Sequence, residues 1–167
     1  MLREGFRHHA WATRQLLDHC ASFSPEVLTR DVTGLYGSVL ATFQHLVDAD
    51  AWYLDGITAH ELGEDVADKT QLTFDDVVTL ADRNAAHWET LLDRELDPDT
   101  EIEVRHGDGS VTVATVGVRL AQALHHGSDH RSQIGTALTV LGAPADEFDV
   151  WAWAETVGLS RDIEPAP

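Results

Sequence analysis

Apolar residues recur at helical spacing along four long stretches of the chain. Phe6, Trp11, Leu16 and Leu17 belong to the first, which predicts a helix over residues 3–21. Ser22 to Pro25 ends it, and Ser24-Pro25-Glu26 carries the opening signal of a short helical turn. Gly34 and Gly37 bracket the entry to a second long helix over 38–57, which stops near Gly56. The polar, acidic stretch 58–72, with Gly63 inside it, predicts a loop. Thr73 with Asp76 three residues on reads as a capping box in which Asp replaces the usual Glu. It opens a third helix over 74–96 with the stripe Val77, Leu80, Ala81, Asn84, Trp88, Leu91 and Leu92, and Pro98 closes it.

The period then changes. Glu101–Arg105 and Val111–Val113 alternate around His106-Gly-Asp-Gly109, a β-hairpin signal. A fourth long helix follows over 116–141, ended by Gly142 and Pro144, and the short acidic, Trp-bearing segment 146–157 is expected to be helical too. Four long helices and one small hairpin predict an all-α helical bundle. A looser all-α domain fits the same pattern, and periodicity leaves the topology open.

Length and composition narrow the classes. At 167 residues and 18.4 kDa, residues 1–167 are expected to form a single domain, and 43% hydrophobic residues suffice for a core. Asp and Glu number 29 against 11 Lys plus Arg, a formal charge of −18. Such a surface repels nucleic-acid phosphates and anionic membranes. Cys20 is the single cysteine, so neither an intrachain disulfide nor a cysteine zinc cage can form. The charged N-terminus has no signal-peptide pattern, and no stretch approaches the ~20 apolar residues of a membrane span. The expected location is a reducing cytoplasm.

The ten His carry the candidate chemistry. His126 and His130 stand at i and i+4, about 40° apart on the fourth helix, near enough to share a metal. If Leu120, Leu124, Gly127, Ile134 and Leu138 form its buried stripe, this pair flanks the stripe, whereas His125 falls about 120° from their midpoint and faces solvent or an interface. On the second helix Leu40, Phe43, Val47 and Leu54 make one apolar face. His45 lies roughly opposite, beside Ala41, Ala49, Trp52 and Gly56, where small residues leave room and the indole supplies an apolar wall. His45 is therefore a natural third ligand, and three neutral imidazoles with an open fourth position make a site of the catalytic type. The plainer reading is a chance His pair and a packed His45. His8, His9, His19, His60, His87 and His106 have no comparable geometry and read as surface or satisfied structural residues.

Together these pieces resemble the DinB/YfiT-like family of metalloenzymes. The similar stretches are Phe43-Gln-His45-Leu-Val-Asp-Ala-Asp50-Ala-Trp52-Tyr-Leu54, His126-x-x-x-His130-Arg131-x-Gln133-Ile134, Trp11-Ala-Thr-Arg-Gln-Leu-Leu17 and Phe148-Asp-Val-Trp151-Ala-Trp153. The resemblance spans essentially the whole chain. It implies an up-down-down-up four-helix bundle, a homodimer, and a divalent metal (zinc, nickel or iron) on His45, His126 and His130. It also implies a small-molecule substrate. Some relatives are transferases using bacillithiol, mycothiol or glutathione, and one is a mycothiol-dependent isomerase.

Each ligand needs a partner for its other ring nitrogen. The candidates are Asp48 and Asp50 near His45, Asp129 beside His130, Gln133 on the face of His126 and His130, and Asp149 in the tail. Arg131 points toward the buried stripe and either pairs with a buried carboxylate or reaches an anionic substrate. Trp52, Trp151 and Trp153 line a pocket mouth or belong to the core. Cys20 lies outside every motif and reads as a small buried residue, so the catalytic group is unknown beyond water or thiolate at the metal. Two functions follow: a metal-dependent thiol transferase or hydrolase, and a non-catalytic metal- or ligand-binding stress protein. A third reading has no metal and hydrogen-bonds the three His inside the core.

Overall fold

Each of the four long stripes becomes a helix in the computed structural model, which describes residues 2–62 and 72–163. They are α1 (Leu2–Cys20), α3 (Val39–Ile57), α4 (Phe74–Leu92) and α5 (Val116–Val140), with the single turn α2 (Pro25–Leu28) after α1 and α6 (Val150–Thr156) near the end. Side-chain caps start them where the sequence places Ser and Thr. Ser38 accepts from the Ala41 amide at the head of α3, and Thr73 and Asp76 exchange both bonds of a capping box at the head of α4. The expected loop between α3 and α4 lies for the most part (63–71) outside the described residues.

Two boundaries differ from expectation. α4 ends at Leu92, not near residue 96, because Asp93, Glu95 and Asp97 would crowd negative charge at the negative end of the helix dipole. α6 covers only Val150–Thr156 of the expected 146–157, with Asp149 accepting from the Ala152 amide as its cap.

The hairpin forms as two antiparallel strands, β1 (Glu101–Arg105) and β2 (Val111–Thr115), in the register Ile102 to Ala114 and Val104 to Thr112. It feeds α5 directly: Thr115 ends β2 and caps α5, and the Val116 and Gly117 amides donate to Thr100 and Pro98 carbonyls.

α1 packs on α4 and α5, and α3 packs on the same two helices. The apolar core falls into two clusters. One holds Leu16 and Leu17 of α1, Phe43 and Val47 of α3, Val77 and Leu80 of α4, and Ile134 and Leu138 of α5. The other holds Phe6, Tyr53 and Leu54, Trp88 and Leu91, and Leu120 and Ala123. The long helices also bury polar residues, among them His9, Asp50, Asn84 and Arg131. Among the described residues no helix is long and apolar enough to cross a membrane.

Candidate metal centre

α3 and α5 pack side by side and bring three imidazoles together. His126 Nε2 lies 3.1 Å from His45 Nε2 and 3.1 Å from His130 Nε2. One ring atom from each of the three lies within 4.8 Å of the others. The i, i+4 spacing on α5 sets the first pair, and α3 carries His45 to meet it. Tyr36 stacks on His45 at 4.3 Å between centroids, and Tyr53 meets His126 edge-on at 6.0 Å.

The chemistry of this donor set fits a divalent metal. Imidazole nitrogens about 2.0–2.1 Å from a tetrahedral metal stand about 3.3 Å apart, close to the spacing found. His130 Nδ1 is 2.9 Å from Gln133 Oε1, an acceptor, so that nitrogen carries the proton and Nε2 keeps its lone pair toward the cluster. At 3.1 Å that lone pair can accept from His126 Nε2–H or serve a cation held between the rings. A proton is disfavoured in that role: burial, then the neighbouring His130 and His45, lower His126 to about 4. The cluster borders a cleft of about 540 Å³ lined by Tyr36, Gln44, His45, Asp48, Trp52 and His126, among others.

A model of the DinB family matches residues 1–159. The chain belongs to that family. No curated protein matches it. Within this DinB-family chain the remaining candidate residues divide. Gln133 meets His130, as above. Asp48 and Trp52 line the cleft, and Trp52 also borders a second cleft of about 630 Å³ beside the hairpin. Asp50 takes a different partner from the expected His45: its Oδ2 accepts from His9 Nε2 at 2.7 Å. Arg131 Nη1 in turn donates to His9 Nδ1 at 3.0 Å and to Thr13 Oγ1 at 3.2 Å, which fixes the His9 tautomer. Arg131 is thus buried and structurally paired, and burial pulls its guanidinium down to about 10.

Other candidates stand away from the cluster. Asp129 lies 3.3 Å from exposed His125, Asp149 caps α6, Trp151 is exposed, and Trp153 is buried beside His8. Cys20 is buried, and burial pushes its thiol up to about 12, so it is no thiolate nucleophile at neutral pH. The residue that sequence reasoning passed over is His9. Its signal was present: it stands three residues after Phe6 and seven before Leu16, inside the buried stripe of α1.

Proposed function

We propose that this DinB-family protein holds a divalent metal on His45, His126 and His130, and is a transferase that moves a low-molecular-weight thiol onto an electrophilic small molecule. Convergence of the three Nε2 atoms beside an open cleft supports this reading. A divalent metal there would supply Lewis acidity, lowering the pKa of a thiol or water brought to it; with water the same site would be a hydrolase. The protein's own groups do the rest. Gln133 holds the His130 ring with Nε2 inward. Arg131, through His9, keeps the Asp50 carboxylate in place. Asp48 and Trp52 shape the cleft where the small molecules meet.

The cleft favours an enzyme over a purely structural metal site, because a catalytic centre needs a ligand position that substrate can reach. We also infer the up-down-down-up bundle of the family. In support, α1 and α5 run from the Phe6 cluster to the Leu16 cluster, whereas α3 and α4 run the other way. A homodimer in the cytoplasm completes the reading.

Metal analysis of untagged protein tests the site. About one equivalent of zinc, nickel or iron is expected in the wild type and none in His126→Ala. Metal content that the substitution leaves unchanged would refute the three-His assignment. Turnover of a thiol and electrophile panel by the metal-loaded protein tests the reaction, and its absence across the panel removes the transferase.

A further inference from the structure

α3 and α5 carry the same spacing along the seam they share. His45, Ala49, Trp52 and Gly56 stand at i, i+4, i+7 and i+11 on α3, within about 60° of one another. Arg119, Ala123, His126 and His130 do the same on α5. The histidines meet at one end. At the other, the Arg119 guanidinium lies 5.6 Å from the Trp52 ring centroid, and a Cβ at Gly56 would come 3.6 Å from its Nη1. Arg119 therefore sits seven residues, about 10.5 Å of helix, from His126, with small Ala49 and Ala123 between the two ends.

Arg119 is 3% exposed, and its Nε and Nη2 have no hydrogen-bond partner among the described residues. Arg3, Arg7, Arg14 and Arg94 all pair with carboxylates, and Arg131 bonds His9 and Thr13. A buried cation with two idle donors is costly, more than a packing role repays. Burial also lowers its pKa. The two idle groups are informative. Nε–H and the Nη2–H beside it are parallel, and form the side-on fork that takes a carboxylate through two bonds.

We propose that Arg119 is a carboxylate-recognition site for a small monoanionic substrate lying along the α3–α5 seam with its reactive end at the three histidines, a reading that rests on the metal site proposed above. Trp52, 37% exposed and bordering both clefts, covers the guanidinium and must swing aside for the carboxylate to enter. The hairpin cleft also carries Asp55 and Glu103, and its Arg105 is exposed and lies 3.7 Å from Glu103. That lining, in a chain of charge −18, works against a phosphate dianion more strongly than against a monoanion.

The test begins on metal-stripped full-length protein, with hexanoate as the probe, hexanamide as its neutral counterpart and inorganic phosphate as the dianion. Calorimetry should show hexanoate binding at least about tenfold tighter than either, and weakened at least about tenfold in Arg119→Gln. Arg119→Lys, which keeps the charge and loses the fork, should also bind more weakly. In the wild type, saturating hexanoate should shift the Arg119 Nε–H resonance, a readout that survives if the variants fail to fold. An unmoved resonance, or hexanoate binding equal in wild type and Arg119→Gln, overturns the proposal. Zinc-loaded protein is then titrated with 6-mercaptohexanoate, which should bind at least about tenfold tighter than hexanoate. Equal binding there overturns the span to the histidines. Failure of the metal site itself leaves the hexanoate result on stripped protein standing, so the two failures are distinguishable.

Discussion

Gly127 shows how closely single residues are constrained. A Cβ there would lie 2.3 Å from His9 Cε1 and 2.9 Å from Arg131 Nη1, so the hydrogen atom of glycine is what lets the His9 ring sit against α5. Gly127→Ala must displace His9 and break its bonds to Asp50 and Arg131 in a buried layer. A loss of about 3 kcal/mol of unfolding free energy is expected in urea titration, from overpacking together with the broken network. Gln133 gives the opposite kind of prediction. It lies half-buried at the edge of the cluster, and Gln133→Leu removes the acceptor that orients His130. Metal affinity should fall about 10- to 100-fold, measured by chelator competition, with unfolding free energy changed by less than about 1 kcal/mol. His126, His130 and Gln133 were legible in the sequence because one helix's geometry relates them. The bond from His9 to Asp50 was not, since it spans 41 residues and two helices.

At the scale of the element, local chemistry set what could be read in advance. The start of α4 was legible because both capping groups, Thr73 and Asp76, sit within one turn and need no distant partner. The hairpin was legible from its alternation and its Gly-containing turn, and β2 runs on to Thr115 because that residue also caps α5. The end of α4 was harder, since no glycine or proline stands at residue 93 and acidic residues stop the helix gradually. Thr73→Ala tests the cap in isolation. Its hydroxyl accepts from the Asp76 amide at 3.2 Å and donates to the Asp76 carboxylate at 2.6 Å, all of it exposed. The expected cost is about 1 kcal/mol in chemical denaturation, with metal content unchanged because α4 supplies none of the three histidines.

Over the whole molecule, charge and packing oppose each other. Arg3, Arg7 and Arg14 of α1 reach across to Glu89, Asp93 and Asp82, lacing the outer seam between α1 and α4 with pairs of 2.7–3.1 Å. Salt weakens such pairs, but each exposed one is worth only about 0–1 kcal/mol. Against them stands a net charge of −18 carried by only 167 residues, whose mutual repulsion favours the expanded chain. Raising NaCl from about 20 mM to about 500 mM shortens the Debye length from roughly 20 Å to roughly 4 Å, so repulsion across the molecule is screened. Screening the larger imbalance should win, and the melting temperature of metal-free protein should rise by several degrees over that range. Arg14→Gln sharpens the comparison. Arg14 bridges Asp18 and Asp82, so removing it leaves one more unpaired negative charge at each end of that bridge. The variant should melt lower than wild type in low salt and approach it in high salt. A melting temperature that falls with salt in both proteins would mean that the α1–α4 pairs outweigh the net repulsion.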